Sequence, residues 1–134
     1  MVDIAPGTVT PTGFSDIRSG TCGVAITLGD PIRFNSSTGR YEPAQADAAG
    51  TATVVGVALD TAVIGGPVTY AASGPIDLAS VLTVGTVYVL SAANAGGIAP
   101  WADLASTEIV SVLGVATAAT RLSLKILNSA AAIP

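Results

Sequence analysis

The body of this 134-residue chain carries one strand pattern twice. The first copy runs Thr27-Leu28-Gly29-Asp30-Pro31-Ile32-Arg33-Phe34, a turn, Gly39-Arg40-Tyr41-Glu42-Pro43, and later Val54-Val55-Gly56-Val57-Ala58. The second runs Thr83-Val84-Gly85-Thr86-Val87-Tyr88-Val89-Leu90, a turn, Gly96-Gly97-Ile98-Ala99-Pro100, and later Val112-Leu113-Gly114-Val115-Ala116. The offset is 56 at Gly29/Gly85, 57 at Pro43/Pro100 and 58 at Gly56/Gly114. Single-residue insertions in the loops between shared strands produce such a drift. A repeated unit of this length points to a scaffold built from two like halves, about 24–78 and 79–129.

Short β-branched runs separated by turn clusters predict strands. They fall at residues 24–27, 31–35, 40–43, 53–59, 67–72, 86–91, 98–100, 109–117 and 121–127. The turn Asn35-Ser36-Ser37-Thr38-Gly39 offers short polar side chains that cap a turn and a glycine that tolerates positive φ. Ala92 to Gly97 plays the same part in the second copy. Gly56 and Gly114 stand in mid-strand, where glycine implies a bulge, a bend or close backbone approach, and a matching bend in both halves is expected. Two copies packed through their Val-rich faces give an all-β fold, a small barrel or sandwich that closes edges prone to aggregation. The Ala-rich pieces 44–49 and 102–106 occupy equivalent places and are each expected to form one helical turn. Residues 1–23 differ from the rest: Pro6, Gly7, Pro11, Gly13, Gly20 and Gly23 punctuate a Thr-rich stretch that reads as an extended arm. Ends of this composition are disordered unless tied down, so a partner or a neighbouring subunit is expected to hold the arm. Residues 130–134 form an apolar tail.

A chain of this length fits one domain and buries roughly two-thirds of its unfolded surface. Half of its residues are apolar but only 4% are aromatic, so the core must come from Val, Ile, Leu and Ala. Charged residues make up 10%, against roughly 25% in an ordinary soluble domain. Large apolar surfaces mark contact sites, and the expectation is a surface covered in part by neighbours. The stretch from residue 78 to 101 has no acid or base except the Tyr88 phenol, yet Gly85, Asn94, Gly96, Gly97 and Pro100 interrupt it well short of a membrane span. The first thirteen residues lack the basic and apolar regions of a signal peptide, so synthesis in the cytoplasm of a host is expected. Cys22 is alone and reads as a small buried residue. Five scattered bases, Arg18, Arg33, Arg40, Arg121 and Lys125, against nine acids make no patch for phosphates.

The chain has no histidine, the side chain most readily brought to a working pKa near neutrality. Asp30, Glu42, Asp60, Asp77, Asp103 and Glu108 lie singly in predicted turns or at strand ends and read as solvated turn residues. Neither a zinc ligand set nor the alternating oxygens of a calcium loop is present. Gly-Thr-Cys-Gly at 20–23 has no histidine to activate the thiol, and Thr-Leu-Gly-Asp and Ile-Gly-Gly-Pro lack the Gly-Lys-Ser/Thr of a phosphate loop. No enzyme activity and no cofactor are expected. A lone Trp after Pro100 reads first as a core or edge plug, yet Trp101 is also the residue with binding character, since Trp anchors interfaces; its counterpart in the first copy is Ala44.

The run Gly29-Asp30-Pro31-Ile32, the strand Val54 to Leu59, the segments Pro67-Val68-Thr69 and Ser73-Gly74-Pro75, and the strand Gly85-Thr86-Val87-Tyr88-Val89 resemble the head decoration, or capsid cement, proteins of tailed bacteriophages. The likeness spans about residues 24–129. It implies a β-rich protein on the outer surface of the virion head, often a trimer, that binds the major capsid protein after the shell expands and clamps neighbouring capsomers. It implies no catalytic residues, no nucleic acid and no membrane. Contacts are expected from the arm at Ile4, Val9, Phe14, Ile17 and Arg18, and from Trp101 and Ile133. Removing residues 1–13 is then expected to weaken shell binding and leave the body folded. Two other classes fit a β scaffold without chemistry: a self-assembling shell or fibre subunit, and a glycan-binding adhesin module using Trp101 with a tyrosine.

Overall fold

A computed structural model describes residues 4, 9–11, 15–46, 51–78, 82–91, 95–103 and 109–132. The fold is all-β, a curled antiparallel sheet. Its strands are β1 (Val9–Pro11), β2 (Asp16–Thr21), β3 (Pro31–Asn35), β4 (Arg40–Pro43), β5 (Gly56–Ala58), β6 (Pro67–Leu78), β7 (Val87–Leu90), β8 (Ile98–Pro100), β9 (Ile109–Ala118) and β10 (Arg121–Ala132). The main path runs β4-β3-β5-β6-β10-β9-β7-β8. Read from its centre, the order is the same in both directions: sixth strand, fifth, third and fourth on one side, tenth, ninth, seventh and eighth on the other. The sequence repeat is therefore laid out as two like units joined where β6 meets β10.

The match extends to individual hydrogen bonds. Gly29 N–H donates to Ala58 O at 2.8 Å, and Gly85 N–H to Ala116 O at 2.8 Å. Ala58 N–H returns to Asp30 O at 2.8 Å, and Ala116 N–H to Thr86 O at 3.0 Å. Gly29 and Gly85 hold φ near 86° and 83°, which glycine alone adopts without cost. The sequence favours a matching bend at Gly56 and Gly114; the missing side chain instead admits a neighbouring backbone. A Cβ on Gly56 would lie 2.6 Å from Ala71 O, and one on Gly114 would lie 2.1 Å from Ser123 O.

Several expected boundaries shift. The strand expected at 24–27 is absent: only a single bridge, Ile26 to Ala62, forms there. The 53–59 strand contracts to β5, because Ala52 and Val54 are held by side chains of the other unit. Asn128 Oδ1 accepts from Val54 N–H at 2.9 Å while its Nδ2 donates to Val54 O at 3.0 Å, and the buried Ser111 hydroxyl donates to Ala52 O. β6 runs six residues beyond the expected 67–72, passing through Gly74 at φ 92° and Pro75. β10 likewise runs on through residues 128–132, the last three of them from the tail, with Ala132 opposite Ile109. Residues 44–46 form no helical turn: Ala44 and Ala46 are buried and bond across to the second unit through Gly96, Ser91 and Ile109. Trp101–Asp103 form one 3-10 turn; residues 47–49 and 104–106 lie outside the described residues.

The arm is extended, but the strand that holds it belongs to the same chain. β1 pairs with Ile76, Asp77 and Leu78, and β2 follows along residues 67–73, with a bulge at Asp16/Ile17. No neighbouring subunit is needed to order these segments.

The main core takes residues from both units: Val57, Ala71 and Ile76 from the first, Tyr88, Leu90, Leu113 and Leu122 from the second. Each fully buried aliphatic side chain contributes about 1.5–3 kcal/mol. Tyr88 is the largest buried side chain, and its hydroxyl accepts from Thr83 N–H at 2.8 Å, which meets the usual requirement of a buried phenol. A second, smaller core of Cys22, Ile26, Ile32, Ala58, Ala62, Val68 and Tyr70 lies on the other face of the first unit. Successive residues Val57/Ala58 and Tyr70/Ala71 divide between the two cores, as side chains alternate along a strand.

Candidate contact surfaces

The side chains expected at contacts are not gathered on one patch. Val9 is buried in the main core opposite Leu78, because pairing of β1 with β6 turns it inward. Ile4 is half-buried and packs on that core, its N–H donating to Ile98 O at 2.8 Å. Ile17 and Arg18 are exposed on β2, where the Arg18 guanidinium pairs with Asp16 at 3.0 Å. The hydrogen bond to Asp16, and its charge, raise the Arg18 pKa above its ordinary value. Trp101 is 59% exposed after β8. Phe14 and Ile133 lie outside the described residues.

The described aromatic contacts lie elsewhere. Phe34, Tyr41 and Tyr70 form a ladder with ring centroids 5.1 Å apart at each step, and the Tyr70 and Tyr41 hydroxyls are hydrogen bonded at 3.0 Å. Gly20 makes room for it: a Cβ there would come within 2.2 Å of the Tyr41 ring. Burial, then the hydrogen bond that Tyr70 donates to Tyr41, push the Tyr70 phenol up to about 12. Among the described residues, Trp101 has no ring contact with these tyrosines.

Sequence reasoning missed a more prominent feature. Residues 22–26 and 62–66 form a ribbon, with Cys22 N–H donating to Gly66 O at 2.9 Å and Gly65 N–H to Cys22 O at 2.8 Å. Ile26 and Ala62 exchange two further bonds. This ribbon exposes Val24, Val63 and Ile64, the last two at 71% and 66%. Gly65, with φ near 83°, sets the turn. The signal was legible: two large aliphatics directly before Gly-Gly-Pro, where a turn ordinarily carries polar residues. Val84, in the turn ahead of β7, is also well exposed.

The carboxylates divide differently from the solvated turn residues expected. Asp77 pairs with Arg121 across β6 and β10, Nε to Oδ1 at 2.8 Å, and that hydrogen bond lowers its pKa. Glu42 pairs with Arg33 across the β3–β4 hairpin and also accepts from Asn35 Nδ2 at 3.1 Å. Asp30 is half-buried, and desolvation raises its carboxyl to about 6 although Thr27 N–H donates to it. Cys22 is fully buried in the second core. Among the described residues no three His, Cys, Asp or Glu side chains converge as metal ligands. The arrangement thus offers apolar tips, ion-paired strands and one half-buried carboxylate. Comparison with known protein families and with curated proteins finds no match to this chain.

Proposed function

We propose that this chain is a decoration protein of a tailed-phage head, binding the major capsid protein on the outside of the expanded shell and clamping neighbouring capsomers, with a trimer as the working unit. The observation that carries this reading is the ribbon tip. Val24, Val63 and Ile64 are held out to solvent on a hydrogen-bonded turn in a chain only 10% charged. Exposed aliphatics fixed together in this way favour burial against another protein. The strand pattern shared with the decoration proteins supports the choice of partner. Cementing needs several modest contacts acting together, each of about 800 Å² per partner, with the unbroken contacts keeping a broken one near its site. Binding to the assembled shell and not to dispersed subunits stabilises the shell by mass action.

The test mixes purified protein with expanded, undecorated heads and with unexpanded heads, followed by sedimentation and imaging. Saturable binding to expanded heads at regular positions is expected. The double variant Val63→Ser, Ile64→Ser should lower occupancy. Failure to bind either form of head overturns the reading; large homopolymers formed without another protein would then favour a self-assembling subunit, and retention on a glycan array would favour an adhesin.

A further inference from the structure

A cavity of about 240 Å³ opens where the two units meet, lined by Ile4, Leu28, Asp30, Gly96 and Ile98 among others. Three aliphatic side chains, Ile4, Leu28 and Ile98, share its walls with Thr27, Gly29 and Gly96, and among the described lining residues its charged group is the Asp30 carboxylate. We infer that this cavity is a socket for one lysine side chain of the partner protein, the alkyl stem lying along Ile4, Leu28 and Ile98 and the ammonium meeting Asp30. The inference rests on the reading above that the chain docks on another protein.

Four observations carry it. Among the described residues no cation reaches Asp30: Arg18, Arg33 and Arg121 make their ion pairs with Asp16, Glu42 and Asp77. At neutral pH the carboxyl, with its pKa near 6, is nevertheless ionised, and a partly desolvated charge gains from a counter-ion. The turn itself does not require an acid, because Thr86 occupies the matching position with the same backbone bonds. Room for the carboxylate is made on the opposite wall, where a Cβ on Gly96 would lie 2.6 Å from Asp30 Cγ.

The geometry selects the kind of cation. Thr27 N–H donates to Oδ2 at 2.9 Å, and no described residue donates to Oδ1. One open oxygen suits the point charge of an ammonium better than a guanidinium, whose fork matches both oxygens of a carboxylate. The volume falls below the ~300–1,000 Å³ of small-molecule sites, the scale of a single side chain.

The test titrates n-butylamine into the isotopically labelled full chain at neutral pH, reading the amide resonances of Gly29, Asp30 and Gly96. Saturable shifts confined to these amides are expected, with n-butanol and n-butylguanidine binding about tenfold more weakly. Asp30→Asn, which keeps an oxygen for Thr27 N–H, should retain a dispersed spectrum and lose the preference for the amine. Equal shifts from butanol and butylamine, or unchanged amine binding in the Asn variant, would overturn the socket. Occupancy of the same variant on expanded heads separates the two readings. Wild-type binding to heads with undiminished binding by Asp30→Asn overturns the socket as a docking point and leaves decoration standing. Amine binding at Asp30 without head binding supports the socket and removes the phage shell as its partner.

Discussion

Asn128 shows how one side chain substitutes for a strand. Its amide supplies Val54 with both the donor and the acceptor that a neighbouring backbone would give, and Val54 is almost fully buried. Asn128→Ala leaves those groups unpaired and is expected to cost about 1–3 kcal/mol, read as a lower urea midpoint with an unchanged slope. The glycines separate by cause in the same way. Gly114→Ala places a methyl on Ser123 O and is expected to cost about 3 kcal/mol or more. Gly85→Ala meets nothing within 4 Å and bears only the left-handed backbone penalty of about 1–2 kcal/mol. Denaturant titration of the two variants side by side checks the order. Asp30 adds a pH dependence. Its folded pKa is near 6 against the ordinary 3.8, so the folded state holds the proton more tightly and stability declines as pH rises from about 4 to about 6. Asp30→Asn removes that slope: its melting temperature should exceed that of the wild type at pH 8 and converge with it near pH 4.

At the scale of elements, β6 organises the molecule. Its first half pairs with β2 and β5, its second half with β10 and β1, and Gly74 lies where the partners change. The arm is therefore structural as well as available for contact. Deleting residues 1–13 removes Val9 from the core and β1 from β6, and is expected to cost about 2 kcal/mol or more, seen as a lower melting temperature. The body expected to stay folded without residues 1–13 is then a less stable one, because β1 belongs to its sheet. The consequence for particle binding is practical, since a truncated chain would lose occupancy through instability alone. Variants at Ile17, which is exposed, test contact without that confusion.

At the scale of the whole molecule, the two units share one core, yet their burial differs. Val57 is fully buried while its counterpart Val115 is 40% exposed. Among the described residues, the first unit alone carries a second core on its other face, built with the ribbon of residues 22–26 and 62–66. That ribbon ends in the apolar tip assigned to partner binding, so the asymmetry between the units and the docking face have the same origin. The Val63→Ser, Ile64→Ser variant should melt within about 0.5 kcal/mol of the wild type, as expected of substitutions at exposed positions. A loss of head binding in that variant would then report on the interface and not on the fold.

Sequence alone determined the class of structure, the repeat and its turns. Those are local matters: β-branched runs, a turn glycine such as Gly29 or Gly85, and the polar cap at Asn35, whose Oδ1 accepts from Ser37 N–H at 3.0 Å, act over a few residues. The mid-strand glycines were legible only as special positions: the sequence favours a bend there, and the close approach depends on Ala71 and Ser123, which lie on other strands. What lay beyond the sequence was which distant segments meet. Asn128 reaches Val54 and Ser111 reaches Ala52 across more than fifty residues, and β6 captures the arm. Asp30 reads as a solvated turn residue until Gly96 and Ile4 close over it. Burial is a property of the assembled neighbours, so only the tertiary structure decided that Val9 belongs to the core, that Val63 and Ile64 face solvent, and that one carboxylate stands at the seam between the units with no cation among the described residues.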